Sequence, residues 1–260
     1  MAYSSKTSSS GIYAWDLLFN FNFTEPPIDV ESLCEKLNID IIYEDLDQIY
    51  AFFIQKNAKK KIILNKNKIS YDTKTRFTIA HELGHYILPN HRLIYNCSID
   101  DIMNFNSNKK EEREANEFAS ELLMPKNIFL KDVKEHELNF DNIMKLSNIY
   151  QTSLTATAIK FIKTTFDKGA IFLSDYDGNI LWGFATEDIY NINTNKIHEE
   201  SITYDYLNTF EGKYLKEPQR VPSYCWFDEE NYENKYICFE ETKIFNKLKQ
   251  AFTLVTLQEK

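Results

Sequence analysis

The stretch Phe77-Thr78-Ile79-Ala80-His81-Glu82-Leu83-Gly84-His85-Tyr86-Ile87-Leu88 limits what this chain can fold into more than any other. Phe77, Ala80, Gly84 and Ile87 fall on one helical stripe, and Ile79, Leu83 and Tyr86 on another. A helix apolar nearly all round is a buried helix. Its histidines and glutamate are then polar groups in a core and need partners. Residues four apart share a helix face, so His81 and His85 present their imidazoles together. Two neutral imidazoles so placed can hold Zn2+ at about 2.0–2.1 Å each. Glu82 is positioned to reach a metal-bound water rather than the metal. A surface helix with two solvated histidines is the ordinary alternative for so short a motif, and the apolar surroundings argue against it. Gly84 costs up to ~1 kcal/mol in a helix interior, which predicts a close packing approach there. Asp72 or Thr73 can cap this helix, and Pro89 ends it.

A catalytic zinc site commonly has three protein ligands and one position left for water. His91 follows His85 by six positions, the spacing of His-Glu-x-x-His-x-x-Gly-x-x-His sites, but Leu88 stands where that pattern needs glycine. The other source is the helix read over Glu111 to Leu123, whose Ala115, Phe118, Ala119 and Leu122 make an apolar stripe before Pro125 stops it. Glu111, Glu112 and Glu114 all lie near that stripe, and periodicity does not choose among them.

Arg76-Phe77-Thr78 before His-Glu-Leu-Gly-His, with Glu112-Arg113-Glu114-Ala115-Asn116-Glu117-Phe118-Ala119-Ser120-Glu121-Leu122-Leu123-Met124-Pro125 downstream, resembles the ImmA/IrrE family of zinc metallopeptidases. The resemblance covers roughly Ile28 to Lys163. It implies that Glu112 is the third zinc ligand beside His81 and His85. It also implies an endopeptidase whose protein substrate is a helix-turn-helix repressor, cut to derepress stress or mobile-element genes. Zinc lowers the pKa of its bound water towards ~7, and Glu82 would act as general base on that water. Tyr71, Tyr86, Tyr95, His91 and Tyr150 are candidate donors to the oxyanion. A different class of function is a zinc-binding regulator that sequesters a partner without cutting it. Cys97, between the two ligand-bearing helices, is a possible regulatory thiol that could take the water's place on zinc. Packing is the ordinary use of such a cysteine.

Composition sets the bounds on this reading. A net charge of −9 argues against a general nucleic-acid binder, so direct nucleic-acid binding is not expected. The four cysteines are widely spaced with no C-x-x-C pair, unlike a secreted disulfide framework. A polar start and the lack of any apolar run of membrane-spanning length lead to the expectation of a cytoplasmic protein without membrane association.

The expected fold class is α+β: a zincin-like metallopeptidase domain followed by a smaller α+β C-terminal unit. The first combines a small β-sheet, the active-site helix and a helical bundle. Residues 1–25 read as an N-terminal tail and arm, the tail ending at Ser10 and a short aromatic helix starting at Gly11. Residues 26–166 form the metallopeptidase domain. Asp29 caps a helix running through Asn38, and Ile39–Tyr43, Tyr50–Gln55 and Lys61–Asn65 are strands. The lysines at 56, 59, 60, 61, 66 and 68 read as a solvated rim. Asp141–Tyr150 and Ser153–Lys163 look superficially like a helix-turn-helix, but the absence of a basic second helix favours scaffold. Residues 167–260 carry 17 acids against 10 Lys plus Arg and read as a C-terminal unit with a regulatory or substrate-recruiting role. Its expected strand pairs are Gly169–Ser174 with Ile180–Phe184, and Val221–Phe227 with Lys235–Glu240, the latter holding Cys225 and Cys238.

Overall fold

The fold is taken from a computed structural model that describes residues 9–47, 49–69, 73–89, 91, 110–209, 217–228 and 232–260. Two compact units result: one holds the described residues up to Phe129 with Ser147–Ser153, the other Leu130–Leu146 with Leu154–Lys260.

In the first unit, helix α1 (Ser9–Asn20) begins two residues earlier than its aromatic pattern predicts. The reason is local: Ser10 is buried and donates its hydroxyl to Glu117 Oε2 at 2.8 Å, so the last of the polar residues is bound rather than solvated. Helix α2 (Val30–Lys36) starts as expected, with Asp29 Oδ1 accepting from the Ser32 amide at 2.9 Å. It stops short of Asn38, which takes a left-handed φ of 54° and turns the chain into the sheet. Strands β1 (Ile39–Glu44), β2 (Ala51–Lys56) and β3 (Lys59–Asn65) lie in the order β1-β3-β2, with β1 parallel and β2 antiparallel to β3. The central strand is the most buried, from Ile62 to Asn65. Helix α3 (Thr73–Ile87) packs on β2 and on α4 (Lys110–Leu123), and α1 also packs on α4. Leu17, Leu33, Phe53, Ile62, Leu83 and Phe118 belong to one apolar cluster formed by these elements.

Pro125 ends α4, and a helix not expected from the pattern, α5 (Lys126–Lys134), follows at once. Glu121 Oε1 accepts from the Lys126 amide at 2.7 Å, capping the new helix across the break. Helices α6 (Phe140–Tyr150) and α7 (Leu154–Ile162) follow as read, except that Leu130–Leu146 and Leu154–Ile162 pack with the second unit. Phe140 explains this: it is fully buried with its ring 5.5 Å from Phe252.

The second unit is an antiparallel sheet of β4 (Lys168–Asp175), β5 (Ile180–Ala185), β6 (Gln219–Val221), β7 (Tyr236–Phe245) and β8 (Gln250–Glu259), in the order β5-β4-β8-β7-β6. The β4–β5 hairpin matches its turn signal, with Gly178 at φ 79°. The second expected pair needs correction. Only Gln219–Val221 of the run to Phe227 is strand, because Pro222 ends it and Ser223–Cys225 form a single 3-10 turn. Cys238 therefore faces Val221 across the sheet, not Cys225. The central strand, β8, carries the unbroken run Ala251–Val255 in the buried interior. Helix α8 (Ile202–Thr209) is anchored by Glu240, which accepts from the Ile202 and Thr203 amides and from Trp226 Nε1. No helix among the described residues is long and apolar enough to cross a membrane.

Candidate metal centre

Helix α3 is buried along its middle, and Gly84 is where it meets α4. A Cβ on Gly84 would lie 3.1 Å from Ala115 Cα and 3.3 Å from Ala115 O, so any larger residue would have to push the two backbones apart by a few tenths of an ångström. The crossing sets one turn of α3, His81 and His85, against Glu112 of α4, and all three side chains are buried. His81 Nε2 lies 3.1 Å from His85 Nε2 and 3.2 Å from Glu112 Oε2, while His85 Nε2 is 3.7 Å from Glu112 Oε1. Among the described residues this is the group of histidine, cysteine or acidic side chains that could hold a metal ion.

The donor chemistry fits zinc. His81 Nδ1 is 2.8 Å from Asn116 Oδ1, an acceptor, so the ring proton sits on Nδ1 and Nε2 carries the lone pair. Neither Glu112 oxygen accepts a hydrogen bond of good geometry from a described residue. Lone-pair atoms gathered this tightly repel one another unless a cation lies among them. Ligand atoms about 2.0–2.1 Å from one tetrahedral zinc stand ~3.3 Å apart, close to the spacings seen here. Burial pushes His85 below the usual histidine value, against the pull of Glu112. That direction leaves the His85 imidazole neutral, the form that binds a metal.

The structure also places the other sequence candidates. Glu82 is buried on α3 directly after His81. His91 is not in the group: its Nδ1 lies 3.0 Å from His85 Nδ1, on the side of that ring away from Nε2. Glu114 is turned to His91, Oε2 to Nε2 at 3.1 Å. Tyr86 points at the sheet, stacked on Phe53 with its hydroxyl 3.2 Å from Lys60 Nζ, and Tyr150 packs on Phe129. Cys97, Tyr71, Tyr95 and Asp72 lie outside the described residues. Asn116 stands in the motif but had no role in the sequence reading, although it sits one helical turn after Glu112 and so shares its face. A separate cavity of about 740 Å3 in this unit is lined by Asp29, Glu31, Arg76 and Gln151 among others, and by none of the three grouped residues.

A small sheet, a buried helix bearing both histidines and a glutamate from a crossing helix define the class: a zincin-like metallopeptidase fold with a C-terminal β unit. Residues 34–161 match the Peptidase_M78 family model, the IrrE N-terminal-like domain, and the chain belongs to the ImmA/IrrE family. Among solved structures, the chain is similar to a Mycobacterium tuberculosis transcriptional regulator, with a TM-score of 0.57 and 13% identity, over 95% of this chain and 76% of that one. A likeness at that identity is one of fold. No curated protein matches the chain.

Proposed function

We propose that this protein is a zinc-dependent endopeptidase that cuts a helix-turn-helix transcriptional repressor and thereby derepresses stress or mobile-element genes. The observation that carries the catalytic part is the convergence of His81 Nε2, His85 Nε2 and the Glu112 carboxylate in a buried site. These three residues would hold Zn2+, and the ion, when bound, would acidify a water molecule and polarise the scissile carbonyl. Glu82 takes the proton from the attacking water on its carboxylate and returns it to the leaving amine. Asn116 holds the His81 ring so that Nε2 faces the site. The nature of the substrate rests on membership of the ImmA/IrrE family.

The test is incubation of the purified, zinc-loaded protein with the helix-turn-helix repressor encoded beside its gene, followed by mass analysis of the products. Defined repressor fragments are the expected result, together with about one zinc per chain. A stable complex with an intact repressor would replace cleavage with sequestration. Absence of bound zinc would overturn the reading altogether.

A further inference from the structure

We infer that His91 and Glu114 form a positioning relay that fixes the ring of His85, an assignment that rests on the zinc-site reading above. His91 is buried just beyond the end of α3, and its Nδ1 meets His85 Nδ1 at 3.0 Å. Two nitrogens at that distance share one proton, one ring donating and the other accepting. The far end of His91 decides which. Its Nε2 is 3.1 Å from Glu114 Oε2, and a carboxylate accepts, so His91 carries its proton on Nε2 and offers a lone pair at Nδ1. His85 must then donate from Nδ1, which leaves its own lone pair on Nε2, the atom facing His81 and Glu112. Lys110 Nζ lies 3.6 Å from Glu114 Oε1, the carboxylate oxygen that does not face His91. The chain Glu114–His91–His85 thus does for one histidine what Asn116 does for the other. It also gives His91 a place in the site without making it a ligand, since it meets His85 on the nitrogen remote from the metal group.

Partners that hold a ligating imidazole's second nitrogen commonly contribute about 10–100-fold to metal affinity. Three measurements on the full chain test the relay. In the metal-free wild type, imidazole nitrogen NMR should find His85 protonated at Nδ1 and His91 at Nε2. Zinc competition should show His91→Phe binding about 10–100-fold more weakly than wild type. The absorption spectrum of the Co2+-loaded variant should shift with it. His91→Asn, which keeps an acceptor near the Nδ1 position, should recover most of the loss and restore the spectrum, a rescue that simple packing would not produce.

A His85 ring protonated at Nε2 would overturn the relay. So would His91→Phe with wild-type affinity and an unchanged cobalt spectrum. If His91→Phe lost zinc as completely as His85→Ala, His91 would be a ligand and the relay would again fall. Failure of the wild type to bind zinc would sink the zinc-site reading, while the NMR of the metal-free protein would still decide the tautomers.

Discussion

Glu112 and Glu82 are both buried carboxylates, and single substitutions should separate their work. On the proposed zinc site, Glu112→Ala would remove a ligand and should weaken zinc binding far more than Glu111→Ala, with Glu114→Ala between them because it would act only through His91. Glu82→Gln should keep zinc and lose cleavage by at least about 10²–10⁴-fold, the usual reach of a general base. Full cleavage by Glu82→Gln would remove Glu82 from the mechanism. The cysteines make a second prediction. Burial pushes Cys34 and Cys225 up to about 12 and raises Cys238 as well. Thiolate is the reactive form, so iodoacetamide at pH 8 should spare all three in the native protein and label them after denaturation. The linkage has a definite sign: thiols in the unfolded chain ionise first, so this contribution falls as pH climbs above about 9. Labelling of any of the three in the native state would show that its site opens. At this scale the sequence was most legible where chemistry imposes spacing: His81, Glu82 and His85 follow from the helical period. The partners Asn116 and His91 did not, because one depends on how closely α4 crosses α3 and the other on the path of the chain after Pro89.

Gly84 belongs to the scale of elements, since it sets the distance between two helices. A methyl group there meets backbone at Ala115, which cannot swing aside as a side-chain tip would. Overpacking of this kind costs about 1–3 kcal/mol. Better helix propensity returns at most ~1 kcal/mol. Gly84→Ala should therefore destabilise the metal-free protein by up to about 2 kcal/mol in urea unfolding and lower zinc affinity by prising Glu112 from the histidines. Unchanged values of both would mean that the crossing has slack. In the second unit, Glu240→Ala should cost about 3–5 kcal/mol, because the Ile202 and Thr203 amides and Trp226 Nε1 would lose their buried acceptor. Chemical denaturation followed by circular dichroism reads that loss, and a change under 1 kcal/mol would mean that water replaces the carboxylate. Elements with a periodic face or a capping residue were legible: α2 from Asp29, α3 from its stripes, the β4–β5 hairpin from its turn. The run from Ala251 to Val255 has no alternation, since an interior strand can be apolar on both faces, and nothing in its pattern marks it as the centre of a sheet. Val221 to Phe227 had strand-like residues, yet Pro222 removes the amide a ladder needs.

At the scale of the whole chain, composition and packing divide the molecule differently. The acidic texture sets in at about Asp167, where the second sheet begins, but the compact unit around that sheet also takes in Leu130–Leu146 and Leu154–Thr165. Net charge records solvated surface, whereas the division into units follows apolar side chains that reach across the sequence. Phe140 packs at a tilt against Phe252, and Leu138 closes over Gly169, whose missing side chain makes the room. A chain cut after Thr165 tests what each unit needs. His81, His85, Glu82 and Glu112 all lie in the first unit with the core beneath them, so the truncated protein should still bind about one zinc. Its helices α6 and α7 would meanwhile lose most of the unit they pack with, leaving normally buried residues such as Phe140 and Phe161 exposed. Exposed apolar surface of that kind favours association and dye binding. The expected result is zinc binding within a few-fold of the full chain, together with strong binding of a hydrophobic dye and a tendency to aggregate. Substituting polar residues at Phe140 and Phe161 in the truncated chain should relieve the aggregation and leave the metal bound. Loss of zinc in both truncated forms would show that the site depends on the C-terminal sheet and that the two units fold as one.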